Sequence, residues 1–451
     1  MVTTAELVAT ALARADRLGT ISEEVGRLVR RPLTPAAREA EDLVAGWMAE
    51  AGAAVTRDAV GNVFGRREGA SPGPALVIGS HIDTVRDAGR YDGPLGVLLG
   101  IAAMAYVAAR EDEGDPALPF PLEVVAFAGE EGVRFAIPFL GSRAATGTLP
   151  GSWHGRTDED GIALADAIRA AGGDPAATGP DGARYRAGEV VAFLEPHIEQ
   201  GPVLDHAGEA LGVVPAIVGQ ARLRVAFTGH ANHAGTTPMA ARRDALAGAA
   251  TVIVAAERVA RETRGLVATV GEVTVGPGAA NVVPGAASIS LDVRHAVDAV
   301  RREAVEAILA VAREAAAARV LDVDVAVEME VAATPCHPAV TDAIQAAAIR
   351  TGMGALREVT SGAGHDAMVM AELAPVGMLF VRSPGGISHH PAEAVLAGDV
   401  LAALRVLLAT IDELAARVRA GTFPGPHGAA GVAGSPPPPA PRASRQHGRG
   451  E

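Results

Sequence analysis

Val77-Ile78-Gly79-Ser80-His81-Ile82-Asp83-Thr84 is an apolar run that ends in side chains able to hold a metal ion. Three other stretches share that form. One is Val124-Val125-Ala126-Phe127-Ala128-Gly129-Glu130-Glu131, and another is Val191 to Leu194 leading into Glu195-Pro196-His197-Ile198-Glu199-Gln200-Gly201. The last is Met378-Leu379-Phe380-Val381, followed by Gly386-Ile387-Ser388-His389-His390-Pro391. Short apolar runs without polar alternation suit strands buried on both faces, and helical patterns separate them here. The expected fold is therefore α/β, a mixed, mostly parallel sheet flanked by helices. In such a sheet ligands bind beyond the carboxyl ends of the strands. That rule would bring His81, Asp92 of Tyr91-Asp92-Gly93, Glu131, His197 and His389 to one edge. Imidazoles and carboxylates together suit Zn²⁺, Mn²⁺, Co²⁺ or Ni²⁺. Taken singly, a histidine after a strand is more often structural, a Glu-Glu pair is usually solvated, and Asp-Gly is most often a turn. Together they point to a metal site, because all of them follow apolar strands in one α/β pattern.

Composition narrows the classes further. The 451 residues are enough for two or three domains. Aromatic residues are only 3%, so the core must be built from Ala, Val, Leu and Ile. A formal charge of −14 argues against nucleic acid or an anionic membrane as partner. The single cysteine, Cys336, excludes intramolecular disulfides and thiolate metal clusters, and reads as a small buried hydrophobe. Met1 to Glu23 carries acidic residues and no long apolar centre, unlike a signal peptide. Ala245 to Ala256, taken as the longest apolar stretch, is too short to span a bilayer. A cytoplasmic location is the resulting expectation.

Thr34-Pro35 reads as a helix N-cap followed by proline at the first helical position, and Leu43, Val44, Trp47, Met48 and Ala51 recur at helical spacing before Gly52 stops the helix. Strands are expected over Ala75 to Gly79, Val124 to Gly129 and Val190 to Leu194. The pattern changes near Leu211. Arg222-Leu223-Arg224-Val225-Ala226-Phe227 alternates as a half-buried strand does. A helix (Asp244 to Glu262), strands around Val267 to Val275 and Ala287 to Arg294, a second helix (Val297 to Arg319) and a strand (Asp322 to Val331) follow. This order describes a two-layer βαββαβ domain inserted into the α/β fold. The expected organisation is 1–210 and 334–420 as the two parts of a catalytic domain, 211–333 as the insertion, and 421–451 as a disordered Gly/Pro/Ala-rich tail.

Over residues 5 to 418 the chain resembles a known family. His81-Ile82-Asp83, Tyr91-Asp92-Gly93, Glu130-Glu131-Gly132, His197-Ile198-Glu199-Gln200-Gly201, His233-Ala234-Gly235-Thr236-Thr237-Pro238-Met239, Ser361-Gly362-Ala363-Gly364-His365-Asp366 and Ser388-His389-His390-Pro391-Ala392-Glu393 occur in the order seen in the amidase/hydantoinase/carbamoylase branch of the M20 metallopeptidases. That branch includes N-carbamoyl-L-amino-acid hydrolases, allantoate amidohydrolases and β-ureidopropionases. The resemblance implies two divalent cations per subunit (Zn, Mn, Co or Ni). One would be held by His81, Asp92 and His197, the other by Asp92, Glu131 and His389, with Asp92 bridging. It implies Glu130 as the general base, Asp83 as the group orienting His81, and Gln200, His233, Asn281, Arg294 and His365 as substrate contacts. The reaction it implies is cleavage of the ureido C–N bond of a small ureido-carboxylate substrate, releasing ammonia, carbon dioxide and an amine. The insertion would be a lid and dimerisation domain, with His233 reaching across a homodimer.

Arg294 suits a carboxylate because a guanidinium can bind it with two parallel hydrogen bonds, although a surface-strand arginine is the plainer reading. This chain has His390 where many relatives have Asn, which leaves His389 and His390 as alternative ligands; register favours His389. Val133 stands where relatives often have Ser. His154, His206, His230, His295, His337, His427 and His447 read as structural or exposed. A dipeptidase or aminoacylase on the same metal centre is the rival enzyme, and His197 speaks against it, because typical peptidases of the family carry Asp or Glu there. An inactive binding homologue would have lost Glu130 or a ligand, and none is missing.

Overall fold

A computed structural model describes residues 2–424, so the expectation of a disordered 421–451 tail falls, from residue 425 on, outside the described residues. The chain divides into two compact units: one comprises residues up to Pro215 and from Cys336, the other Ala216–Pro335. Sequence patterning put the boundaries of the insertion at 211 and 333. They shift because Leu211–Val214 is a strand of the large sheet, antiparallel to Val376–Val381. The insertion is instead closed by its own ends, where Thr334–Pro335 pairs with Ala216–Ile217.

The large sheet runs in the order Ala54–Arg57, Val63–Arg67, Leu122–Phe127, Ala75–His81, Val190–Ile198, Val376–Val381, Leu211–Val214, Arg357–Glu358. Its four central strands are mutually parallel, and the strands on either side of that block, Val63–Arg67 and Leu211–Val214, are antiparallel to it. Every residue of the four central strands is buried, which is why their apolar runs show no alternation. All four point the same way, so the segments that follow them emerge at one edge.

Helices cover the sheet. Thr34 caps Pro35–Glu50 by accepting from the amide of Ala37 at 3.2 Å, with Pro35 at the first position, and Gly52 follows with φ 87°. Thr4–Leu18, Pro94–Asp112, Pro338–Arg350 and Ala397–Arg419 pack together into the main core. Pro94–Asp112 is long and apolar enough, by length and composition, to cross a membrane, and so exceeds the Ala245–Ala256 stretch singled out above. Here it is a core helix, buried from Pro94 through Met104. Two glycines let it approach the sheet. A Cβ on Gly96 would stand 2.1 Å from the carbonyl oxygen of Pro196, and one on Gly100 would press on Val124 and Ile78.

In the inserted unit, Gly219–Thr228 alternates buried and half-buried residues and pairs antiparallel with Ala286–His295 on one side and Asp322–Val331 on the other. The expected single strand over Val267 to Val275 is two, Val267–Thr269 and Val273–Gly276, which pair with the two ends of Ala286–His295. Helices Ala245–Glu262 and Asp298–Arg319 cover one face of this sheet, packing Val252 and Ile308 on Val225, Phe227 and Ile289.

Gly96 yields a test of helix–sheet packing. Replacing a helical glycine with alanine ordinarily stabilises by about 1 kcal/mol, but the close approach to Pro196 makes Gly96→Ala an overpacking change with a typical cost of about 1–3 kcal/mol. A lower melting temperature is expected in thermal denaturation, and an increase would show that the helix has room to move.

Candidate metal centre

At the carboxyl edge of the four central strands the buried carboxylate of Asp92 has a different set of neighbours for each oxygen. Oδ1 lies 3.3 Å from His197 Nε2 and 3.9 Å from His81 Nε2. Oδ2 lies 3.2 Å from His389 Nε2, and His389 Nε2 is 3.5 Å from Glu131 Oε1. His81, Asp92 and His197 thus form one group of converging ligand atoms, and Asp92, Glu131 and His389 a second. Donors arranged tetrahedrally about 2 Å from one cation stand roughly 3.3 Å apart, which the two groups approach without being drawn in further.

The backbone supplies these positions. His81 ends its strand and His197 lies next to the end of its own. Asp92 precedes Gly93, which opens helix Pro94–Asp112 with φ 87°. Glu130 and Glu131 follow the strand Leu122–Phe127 in a turn held by Asp83, whose Oδ1 accepts the amides of Gly129 (2.8 Å) and Glu130 (3.0 Å) and whose Oδ2 accepts that of Glu131 (3.2 Å). This modifies the role expected of Asp83. His81 Nδ1 lies nearest its backbone oxygen, at 3.2 Å, with the carboxylate at 3.5 Å, so the side chain chiefly fixes the turn that carries Glu130 and Glu131. His197 Nδ1 faces the Ile198 carbonyl at 2.9 Å. Both Nδ1 atoms therefore donate to backbone carbonyls, so that when the rings are neutral each Nε2 is the nitrogen left to ligate.

Two atoms in this cage are buried with no hydrogen-bond partner, Asp92 Oδ1 and His197 Nε2. Buried polar atoms are nearly always satisfied, and these two face each other in the first ligand group, so the residues present fit a cation. The charges agree. Burial pushes Glu131 up to about 7, with Asp92 adding to it. Burial likewise holds Glu130 well above the usual carboxylate range, reinforced by Glu131 and Asp366. Burial alone would lower His81, but Asp83 and Glu130 hold it well above the usual histidine range, and its hydrogen bond with Asp92 lifts His389 to about 9. Burial alone would raise Asp92, yet His389, His197 and His81 keep it well below. Such a cage draws positive charge to itself. A divalent cation supplies that charge and would keep the imidazoles neutral and the carboxylates ionised.

Of the alternative final ligands, His389 Nε2 is the one within reach of Asp92, while His390 turns its Nδ1 back to the amide of Ala392 at 3.1 Å. Gln200, with φ 60°, donates from Nε2 to Asp92 Oδ2 at 2.8 Å. His365 is buried edge-on to His197 with ring centroids 4.5 Å apart, and its Nε2 lies 2.7 Å from Ser361 Oγ. Burial, with the neighbouring His197, keeps His365 well below the usual histidine range, so it is a neutral ring. Sequence reasoning passed over a buried pair behind this ring. Glu195 accepts from Ser80 Oγ and the Ala367 amide, and Asp366 accepts from Ser142 Oγ. It also passed over Ser388, whose hydroxyl lies 2.7 Å from Asp92 Oδ2, and Glu393.

The remaining expected contacts stand in the inserted unit. His233 is exposed, and its Nδ1 accepts the amides of Gly235 (3.0 Å) and Thr236 (3.2 Å), so the neutral ring presents Nε2–H outward. The carbonyl of Asn281 accepts the Ala234 amide beside it. Arg294 is gripped by Asp292 through two hydrogen bonds, at 2.8 and 3.3 Å, and Gln220 and Arg222 hold the same carboxylate.

The family model for peptidase family M20/M25/M40 matches residues 77–413. An N-carbamoyl-L-amino acid amidohydrolase of Geobacillus stearothermophilus is 40% identical over 404 residues, 89% of this chain and 97% of that protein. A probable allantoate deiminase of Oryza sativa subsp. japonica is 39% identical over 440 residues, 91% of this chain and 89% of that one. A crystal structure of an amidase of the hydantoinase/carbamoylase family from Burkholderia multivorans superposes with a TM-score of 0.81 at 33% identity, covering 90% of this chain and 98% of that one.

Gly93 offers a test of the cage that leaves every ligand in place. A Cβ there would lie 2.5 Å from the His81 ring on backbone already at φ 87°. Gly93→Ala is expected to fold, as judged by far-UV circular dichroism, and to bind divalent cations at least about tenfold more weakly in a competition titration, the range seen when a ligand's support is disturbed. Unchanged affinity would show that the position of His81 does not govern the centre.

Proposed function

Since the chain belongs to peptidase family M20/M25/M40, we propose that it is a two-cation amidohydrolase of the carbamoylase type, cutting the ureido C–N bond of an N-carbamoyl-L-amino acid or an allantoate-like carboxylate. The observation that carries this reading is the Asp92 carboxylate shared by two ligand groups, with Glu130 3.9 Å from His81 and itself within a third possible group with His81 and Glu131. His81, Asp92 and His197 would hold one divalent cation, and Asp92, Glu131 and His389 the other, drawn from Zn, Mn, Co and Ni. Bound there, the pair would lower the pKa of water and polarise the ureido carbonyl.

Glu130 is then the proton carrier. Its Oε2 lies 3.9 Å from His81 Nε2, at the rim of the cage, and burial beside Glu131 and Asp366 raises its affinity for a proton once the cations hold it ionised. It takes a proton from the attacking water, whose oxygen joins the carbonyl carbon. The bond from that carbon to the substituted nitrogen breaks, and Glu130 passes the proton to the leaving nitrogen. The amine departs, and the carbamate decomposes to carbon dioxide and ammonia. Asp83 keeps Glu130 in place through the turn amides. The Arg294 guanidinium, oriented by Asp292, suits the substrate carboxylate, with Gln200, Asn281 and His365 as further contacts.

We assign His233 to the site of a second copy in a homodimer. Its outward Nε2–H is a donor suited to a carbonyl oxygen that gains charge. The strand Asp322–Val331 supports pairing between copies, because among the described residues its outer edge has no neighbour and Val327 is 57% exposed.

A single experiment bears on most of this: ammonia release from N-carbamoyl-amino acids, β-ureidopropionate and allantoate, beside a dipeptide panel, with enzyme reconstituted in turn with Zn²⁺, Mn²⁺, Co²⁺ and Ni²⁺. Turnover of a ureido substrate is expected, and cleavage confined to the dipeptides would favour a peptidase or aminoacylase instead. Glu130→Gln should retain its cations and lose at least about a hundredfold in kcat, the low end for removing a general base. Near-normal kcat would remove Glu130 from the reaction.

A further inference from the structure

One buried carboxylate at the centre is neither a ligand nor the proton carrier. Glu393 is 4% exposed, and its Oε1 accepts two successive backbone amides, those of Tyr91 at 2.8 Å and Asp92 at 3.1 Å. Its own amide donates to the His390 carbonyl at 3.0 Å, closing a turn directly after His389. Ser388 Oγ lies 3.2 Å from Glu393 Oε2 and 2.7 Å from Asp92 Oδ2, so a single hydroxyl touches both carboxylates. The space for Glu393 is reserved on the other side of the contact as well. A Cβ on Gly89 would stand 2.3 Å from its side chain, so the Gly89–Asp92 loop and the Ser388–Glu393 loop are shaped around this one group.

The two ligand groups do not depend equally on that contact. His81 and His197 sit on central strands and are fixed by the sheet. His389 has φ 55° and its side chain is 48% exposed, on a loop that follows the strand Val376–Val381. Its alignment with Asp92 Oδ2 and Glu131 has no strand behind it.

We propose that Glu393 is a positioning residue that staples the Asp92 loop to the His389 loop and so governs the second cation site, two of whose ligands it places, more than the first, where it places only Asp92. The proposal rests on the two-cation reading above. The contact requires an acceptor oxygen, which can take both amides at once without placing a donor against either.

The test is a Co²⁺ titration of the metal-free full-length protein, followed by visible absorption, on wild type, Glu393→Ala, Glu393→Gln and Gly89→Ala. Wild type is expected to take up two equivalents. Glu393→Ala should bind the first within about threefold of wild type, since His81 and His197 stay on the sheet and only Asp92 loosens, and the second at least about tenfold more weakly. Glu393→Gln retains an oxygen able to accept both amides and should restore the second site to within about threefold, which a generally weakened fold would not do. Gly89→Ala, which crowds Glu393 without removing it, should reproduce the alanine effect and serves if Glu393→Ala does not fold. Two equivalents bound normally by Glu393→Ala, or by Gly89→Ala where Glu393→Ala does not fold, would overturn the staple alone. Equal loss in Glu393→Gln and Glu393→Ala would replace it with a charge effect. Fewer than two equivalents in wild type would overturn the two-cation reading, and the staple with it.

Discussion

Everything at this centre turns on one carboxylate taken out of water. An ionised Asp buried among apolar strands is costly unless positive charge or donors surround it. Asp92 has both, and distributes them. His81 and His197 face one oxygen; His389, Gln200 and Ser388 face the other. Four parallel strands are needed to hold those partners at one edge, and the helices are needed to keep the strands dry. The fold can be seen as the apparatus that makes this buried carboxylate tolerable.

Much of this was legible in the residues because the informative feature was local and repeated. An apolar run followed at once by His or Glu marks a strand that delivers a side chain to the sheet's edge, and His81, Glu131 and His197 each follow that rule. Asp92 was legible only in company, since Asp-Gly alone reads as a turn; in the fold the pair stands at the head of helix Pro94–Asp112, with Gly93 at φ 87°. The supports around the ligands were hidden for a physical reason. Glu393 acts on amides three hundred residues away along the chain, through a loop–loop contact that no periodicity encodes. The Asp83 carboxylate lies 3.5 Å from His81 Nδ1 and also accepts three amides of a turn that only the folded sheet brings close, a contact that spacing does not show.

The inserted unit shows the same contrast. Its strand alternation was plain, but the break between Val267–Thr269 and Val273–Gly276 was not, because both pieces lie along one continuous partner strand and only the partner reveals the gap. Arg294 was singled out for a substrate carboxylate. In the fold it is already engaged by Asp292, two residues earlier on the same face of the strand, with Gln220 and Arg222 across the ladder. The plane of its guanidinium is thus set by an internal anion.

The wide spacing of the ligands along the chain has a kinetic side. No short segment contains a complete ligand group, since His81 and Asp92 need His197, and Glu131 needs His389. A divalent ion therefore finds little to hold in the newly made chain and cannot nucleate its folding in the way a zinc finger's ion does. The long-range parallel pairing must be finished first, a slow class of topology to close. Once it is closed, an ion that binds the finished sheet far better than the open chain works as a latch on the unfolding side of the barrier, lengthening the life of the native state without hastening its arrival.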